Sequence, residues 1–285
     1  MSSLTRTTEA RELERLESTL RDLGRVVVAF SGGADSALLS YVANATLGND
    51  RVLCVTASSP SLPTDELHHC RELASEWGLR HLVVETHELE DTSYVRNDLD
   101  RCYHCKRELM DVLAAPALAE SAPIALGVNI DDLSDHRPGQ RAARERGAVF
   151  PLVEAGLDKK GVRAISRDLG LSTWDKPAAA CLASRVPHGT PVSIGVLRRV
   201  EQAESGLRRL GFKEVRVRHY GDSARIELGL DELERALSER RAVVATVKDA
   251  GYRYVTLDLE GLRSGNLARA ALERSDEFRG SATAR

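Results

Sequence analysis

Residues 31–36 read Ser-Gly-Gly-Ala-Asp-Ser and follow the apolar run Val26-Val27-Val28-Ala29-Phe30. Ser31, Gly32, Gly33, Asp35 and Ser36 are the residue types of a phosphate trap: glycines let the backbone turn sharply and approach a ligand, and hydroxyls stand beside the unpaired N–H groups of a helix N-terminus. The loop lacks the lysine of a Walker A motif, so it is not a γ-phosphate cradle of that kind. Cys102 and Cys105 stand in Arg-Cys-Tyr-His-Cys-Lys, a spacing at which two thiolates reach one metal or each other. Zinc, a redox pair, an iron–sulfur cluster and two core cysteines all fit a lone C-x-x-C. Cys181 is flanked by Lys176 and Arg185, whose charge favours a thiolate. Asn129, Asp131, Asp132 and Asp135, with His136, Arg137 and Pro138 beside them, suit a Mg²⁺ ion held against phosphates, and equally a solvated loop. Arg216 and Arg218 alternate along one segment and so share a face of a strand, with Arg225 on the next. Clustered guanidiniums suit the phosphate of a mononucleotide, or the ion pairs of a surface strand. Cys54 inside an apolar run and Cys70 beside His68 and His69 read as buried structural thiols.

The elements that must position these residues follow from periodicity. A strand from residue 26 leads through the Ser-Gly-Gly loop into a helix carrying Ala37, Leu38, Leu39, Val42 and Ala43 at helical spacing. Strands at 51–56 and 81–85 flank a helix at 64–77, a βαβαβ order. This predicts an α/β fold with a doubly wound parallel sheet, ligands lying at the carboxyl ends of its strands. A helix from about 104 to 118, into which the Arg-Cys-Tyr-His-Cys-Lys motif leads, precedes a strand at 123–126 that runs into the acidic loop. Helices at 140–146 and 158–169 complete a domain of residues 1–175. Residues 176–191, with Pro177, Pro187 and Pro191, form a functional loop and linker that holds Cys181. Beyond it a helix over 192–210, strands at 214–219 and 224–228, a helix over 230–250 and a strand at 252–257 make a smaller C-terminal α+β module over 192–262. Residues 263–285 are polar and small, a frayed tail.

Composition narrows the class. The chain has 285 residues, 42% of them hydrophobic, enough for one large or two modest domains with a real core. The formal net charge is −3 and no block of Lys and Arg matches a phosphate backbone, which disfavours a nucleic-acid partner. No apolar stretch has bilayer-spanning length, and residues 5–23 form a charged amphipathic helix with Ala10, Leu13, Leu16, Leu20 and Leu23 on one stripe. A cytoplasmic protein without a membrane partner is expected. Five cysteines, an odd number with one close pair, suggest reduced thiols or metal ligands rather than a disulfide framework.

The Ser-Gly-Gly-Ala-Asp-Ser loop resembles the pyrophosphate loop of the N-type ATP pyrophosphatases (the PP-loop superfamily), which cleave ATP between the α and β phosphates. Taken in order, SGGADS, RCYHCK, GVNIDDLSDHRPG, KPAAACLASR and RVRHYGDSARIE resemble the LarE family over most of the chain. These are ATP-dependent sulfur transferases that build the sulfur ligands of the nickel-pincer nucleotide. The resemblance implies a fold of the adenine nucleotide alpha hydrolase type. It also implies that ATP adenylylates a carboxylate of pyridinium-3,5-biscarboxylic acid mononucleotide and that sulfur then displaces AMP. It assigns Ala29, Ser31, Gly32, Gly33, Asp35, Ser36, Thr56 and Gly127 to the ATP site, Asp35, Asp132 and Glu204 to Mg²⁺, and Arg216 and Arg218 to the substrate phosphate. Homo-oligomeric assembly is implied as well. The family has two sulfur sources: a cysteine at the position of Cys181 that gives up its own sulfur and becomes dehydroalanine, or a [4Fe-4S] cluster on that cysteine and a C-x-x-C. With Cys102, Cys105 and Cys181 all present, the cluster is the expected source and zinc at the same thiols the alternative. The same adenylation chemistry also serves tRNA thiolases, against which the low basicity argues, and ammonia-dependent amidating synthetases. A nucleotide and iron–sulfur sensor without turnover is the non-enzymatic alternative.

Overall fold

The computed structural model describes residues 3–133, 138–177 and 180–263. The chain begins with α1 (Ser3–Leu23) and continues β1 (Val26–Ala29), α2 (Ala34–Leu47), β2 (Val52–Ser58), α3 (Thr64–Glu76), β3 (His81–Glu85), α4 (Thr92–Val95), α5 (Arg101–Glu120), β4 (Ile124–Leu126), α6 (Ile130–Leu133), α7 (Pro138–Glu145), α8 (Pro151–Glu154) and α9 (Lys159–Asp168). After a 3-10 turn at Leu182–Arg185 come α10 (Ile194–Arg209), β5 (Val215–Tyr220), β6 (Ser223–Leu228), α11 (Leu233–Ser238), α12 (Arg240–Asp249) and β7 (Tyr254–Leu257). Two compact units emerge, one from residues 1–88 and 102–179, the other from 89–101 and the chain from 180 onward. The segment Leu89–Arg101 thus joins the second unit, although its sequence neighbours on both sides belong to the first.

In the first unit the strands lie in the order β3-β2-β1-β4 and every pairing is parallel. Val26 and Val28 pack with Leu16, Leu20, Leu38, Leu39 and Leu73, whereas Val27 packs with Val55, Met110, Leu113 and Leu126. Successive residues of β1 therefore feed cores on opposite faces, and a strand covered on both sides reads as a continuous apolar run. Of the α1 stripe, Leu16 and Leu20 are fully buried, Leu13 and Leu23 partly so, and Ala10 is exposed. Each buried leucine contributes about 1.5–3 kcal/mol, which fastens α1 to α2. Cys54 and Cys70 are core residues, and burial pushes the Cys54 thiol up to about 11.

In the second unit β5 and β6 pair antiparallel, β6 and β7 parallel. Val217, Ala224, Ile226 and Leu228 face a core closed by Leu207, Phe212, Val243 and Val247. The helix expected over 230–250 is broken. α11 ends and α12 begins at Glu239, and Arg235 holds the break by reaching Glu239 Oε1 (2.9 Å) and the Gly211 carbonyl (3.1 Å). The cysteine pair also lies otherwise than expected. α5 starts at Arg101, so Cys102 stands in its first turn and Cys105 at the start of its second, and the pair does not precede the helix. Three and four residues apart is one helix face. Asp135, His136, Arg137 and the tail from residue 264 lie outside the described residues. Among the described residues no helix is long and apolar enough to cross a membrane.

Candidate active site

β1 ends at Ala29, the Phe30 amide bonds to the Val55 carbonyl (2.8 Å), and the chain turns through Ser31, Gly32 and Gly33 into α2. Gly32 has φ +65°, and a Cβ there would stand 2.9 Å from Cys70 Sγ, so both conformation and space demand glycine. Gly33 caps α2 without a side-chain acceptor, which leaves the first amides of the helix to an external anion. Ser36 Oγ accepts from the Ser31 amide (3.2 Å), donates to the Gly33 carbonyl (3.2 Å) and lies 3.1 Å from Ser31 Oγ. The loop is thus held from inside by its own hydroxyls. At Gly127, past the end of β4, a Cβ would come within 2.7 Å of the Ser36 amide nitrogen. Its role is to let the strand end lie directly against the first turn of α2.

Asp35 Oδ1 accepts from Asn129 Nδ2 (2.9 Å). Burial raises the Asp35 pKa and the negative charge of Asp132 raises it further, while the Asn129 bond and Lys159 act the other way. Asn129 and Asp132 are buried and bonded to each other in the turn of α6, and Lys159 Nζ pairs with Asp132 Oδ1 at 3.2 Å. Asp131 points elsewhere and accepts from the Lys159 amide at the start of α9 (2.9 Å). The acidic loop therefore resolves into one carboxylate facing Asp35 and another serving a helix end. Thr56, expected to touch ATP, has its hydroxyl turned inward. It donates to the Phe30 carbonyl (2.7 Å) and stands 2.8 Å from His81 Nε2, with the residue 2% exposed. Its side chain supports the loop from below.

Lys176 is the residue the sequence placed in the wrong company. Read as a neighbour that favours the Cys181 thiolate, its ammonium instead donates to the Gly32 carbonyl (3.1 Å) and to Glu66 Oε2 (2.7 Å). The phosphate loop, which lacks a lysine of its own, acquires one through the fold. His69 lies under the same glycine, and burial followed by the Lys176 charge lowers its pKa.

In the second unit Cys181 is half-buried and precedes the 3-10 turn, its carbonyl accepting from the Ser184 amide (2.9 Å) and from Arg185 (3.2 Å). Arg185, also read as a thiolate-favouring charge, is committed to Glu204: Nε to Oε1 at 2.8 Å and the second terminal nitrogen to Oε2 at 3.1 Å. Glu204 further accepts from the Val217 amide (3.0 Å) and Arg208 (3.0 Å), and it is 0% exposed. Both of its oxygens are filled by donors, so the expectation of a Mg²⁺ ligand there gives way to an anchor for two arginines.

Arg216 and Arg218 do share a face of β5, opposite Glu227 and Arg225 of β6. Arg218 bonds to Glu227 (2.8 Å) and to the Ser184 carbonyl (2.9 Å), Arg225 to the other Glu227 oxygen (2.9 Å). Glu227 is fully buried and was not singled out from sequence; its alternation with Arg225 on a strand facing Arg216 and Arg218 was the available signal. Burial lowers the Arg216 pKa, and the like charges of Arg185 and Arg218 lower it further. Positive charge outweighs its carboxylates here, an arrangement that an anion would relieve.

Cys102 is exposed, Cys105 half-buried, and none of the five cysteines is in a disulfide. Among the described residues no three His, Cys, Asp or Glu side chains stand gathered for a metal ion.

Comparison with known proteins agrees with this construction. The NAD synthase family model matches residues 13–108, the stretch that contains the phosphate loop. The chain is 44% identical over 261 residues to an uncharacterized protein of Synechocystis sp., covering 90% of this chain and 97% of that one. It is 39% identical over 256 residues to the pyridinium-3,5-bisthiocarboxylic acid mononucleotide synthase of Lactiplantibacillus plantarum, covering 88% of this chain and 92% of that one. A subunit of the glutamine-hydrolyzing GMP synthase of Thermoplasma acidophilum is 29% identical over 208 residues, 65% of this chain and 66% of its own. With a match that spans nearly the whole of both chains and a family model over the phosphate loop, this chain belongs to the LarE family of ATP-dependent sulfur transferases, within the PP-loop superfamily.

Proposed function

We propose that the chain adenylylates a carboxylate of pyridinium-3,5-biscarboxylic acid mononucleotide and converts it to a thiocarboxylate for nickel-pincer cofactor synthesis. The observation that carries this reading is the glycine-capped start of α2 with Asp35 and Lys176 beside it, in a chain 39% identical to a synthase of the bisthiocarboxylic acid. A carboxylate is a poor electrophile because its leaving group would be oxide. Its oxygen therefore attacks the α-phosphorus of ATP, the bond from that phosphorus to the bridging oxygen breaks, and pyrophosphate departs with the electron pair. The α2 amides, the Ser31 and Ser36 hydroxyls and the Lys176 ammonium receive the departing charge. A sulfur nucleophile then attacks the acyl carbon and the bond to the AMP oxygen breaks. Arg216 and Arg218 hold the substrate phosphate.

Asp35 and Asp132 fit Mg²⁺, because burial and the Asp132 charge oppose ionisation of Asp35 and a divalent cation beside it removes that cost. When bound, Mg²⁺ supplies neutralisation of the phosphate charge. Cys102 and Cys105, neither in a disulfide and both on one face of α5, suit two of the thiolates that a [4Fe-4S] cluster would need, and the resemblance supports Cys181 as the third. When bound, such a cluster supplies sulfide to the acyl carbon. The resemblance also supports homo-oligomeric assembly and a cytoplasmic location.

Anaerobic protein incubated with ATP, Mg²⁺, sulfide and the bis-acid nucleotide is expected to release pyrophosphate and AMP and to form thiocarboxylate over several turnovers with its mass unchanged. Turnover that stops near one per chain, with loss of about 34 Da at Cys181, would assign the sulfur to Cys181 itself. Cleavage of ATP with ammonia and no sulfur transfer would favour an amidating synthetase, the activity to which the GMP synthase relative points.

A further inference from the structure

Asn97 is a non-glycine residue with positive φ (60°) and is 0% exposed. Asparagine tolerates this left-handed conformation better than most side chains, yet a buried one must spend its amide on something. Its Nδ2 lies 2.8 Å from the Thr190 carbonyl, 2.9 Å from that of Pro187 and 3.3 Å from that of Val186. Its Oδ1 accepts from Arg101, which also donates to the Ala183 carbonyl (2.8 Å). Three carbonyls on one side of the amide and a guanidinium on the other leave its orientation unambiguous. The Asn97 carbonyl accepts from the Gly189 amide (3.1 Å), and the Val192 amide bonds to Val95 (2.9 Å).

Residues 186–191 form neither helix nor strand, and Pro187 and Pro191 bring no N–H of their own. No ladder serves the carbonyls of this stretch: that of Pro187 also accepts from the Thr190 amide (3.0 Å), and Asn97 gathers it with those of Val186 and Thr190. Arg101 does the same for the turn that begins at Cys181. All of these residues belong to the second unit, and it is the insertion of Leu89–Arg101 into that unit that brings them together.

We infer that Asn97, with Arg101 behind it, is the positioning residue of the Cys181 turn: it touches neither nucleotide nor thiol, and it fixes the backbone that carries Cys181 and Ser184. The inference rests on the reading of Cys181 as the residue that handles sulfur. Loosening this clamp lets the adenylate form and then be attacked by water before sulfur reaches it, which returns the carboxylate and releases AMP.

Asn97→Ala and Asn97→Gly separate the amide from the backbone, since glycine keeps the left-handed freedom and lacks the side chain. Hydrogen exchange across 183–190, the alkylation rate of Cys181 by iodoacetamide, and thiocarboxylate formed per AMP released are the readouts. In both variants the amides around Gly189 are expected to exchange about tenfold faster and Cys181 to alkylate faster. Pyrophosphate release should stay within about twofold of wild type while thiocarboxylate per AMP falls about tenfold. Unchanged exchange and alkylation in a variant that unfolds at the wild-type temperature overturns the clamp. Faster exchange with unchanged thiocarboxylate per AMP overturns its bearing on sulfur transfer. Arg101→Met, which removes only the Ala183 and Asn97 contacts, carries the same readouts if the Asn97 variants do not fold. Wild-type protein that forms no thiocarboxylate at all would defeat the functional reading, and exchange and alkylation would then decide the clamp alone.

Discussion

Arg185 and Glu204 meet through two parallel hydrogen bonds of 2.8 and 3.1 Å, with 6% and 0% of their side chains exposed. The pair ties the turn after Cys181 to α10, and α10 to β5 through the Val217 amide. A buried pair of this kind is costly to halve, because the surviving charge is left without solvent or partner.

Glu204→Gln is accordingly expected to lower stability by about 3–5 kcal/mol, since Arg185 and Arg208 lose their common counter-charge. Thermal and urea unfolding measure it. The Mg²⁺ concentration needed for pyrophosphate release should not change, and a raised requirement would return Glu204 to the metal.

Lys176→Met removes the cation from the Gly32 carbonyl and from Glu66. Loss of a charge-assisted contact costs about 1.5–3 kcal/mol, so pyrophosphate release should fall at least about tenfold. Cys181 alkylation should stay at the wild-type rate, because the ammonium serves the phosphate loop and not the thiol. A changed alkylation rate with normal pyrophosphate release would instead place the Lys176 charge at the thiol.

Arg216→Ala and Arg218→Ala should differ, although the residues share a strand face. Arg216 is half-buried and donates to the Arg263 carbonyl (3.3 Å), whereas Arg218 is bound to the buried Glu227. The first change is expected to weaken binding of the bis-acid nucleotide by about 1.5–3 kcal/mol with ATP affinity and unfolding temperature intact. The second should weaken the same ligand and also destabilise the unit by stranding Glu227. Calorimetric titration with each ligand, beside thermal unfolding, checks both. Loss of ATP affinity in Arg216→Ala would move that arginine to the other half of the reaction.

Asp35 links function to pH. Burial raises its folded pKa above the ordinary 3.8, so the folded state holds the proton more tightly than the unfolded chain. Stability from this group is present below 3.8 and is lost as pH rises through the folded value. Asp35→Asn is therefore expected to unfold at a higher temperature than wild type at neutral pH, with the difference closing as pH falls toward 3.8, while pyrophosphate release is lost. A variant less stable than wild type at neutral pH would show that the carboxylate is tied into the fold more strongly than its burial opposes.

The sequence by itself determined the parts whose information is local. The β-branched run, the Ser-Gly-Gly turn and the helical spacing after Ala34 are contiguous, so the phosphate loop and the parallel sheet around it could be read directly. The same holds for the shared face of Arg216 and Arg218, which follows from the two-residue repeat of a strand. Cys102 and Cys105 were recognised from spacing, but the start of α5 was misplaced, since a helix boundary depends on what pairs with its first turn. Only the tertiary structure decided which charges meet. Lys176 lies next to the cysteine loop in sequence and on the Gly32 carbonyl in space; Glu204 looks like a metal ligand until Arg185, Arg208 and the Val217 amide fill its oxygens. Asn97 carries no motif at all, and its role arises from the carbonyls of Val186, Pro187 and Thr190, which an irregular backbone turns toward it. Hydrogen-bond partners of buried polar groups come from whatever the fold brings within about 3 Å, and that distance is set by chain segments far apart in sequence.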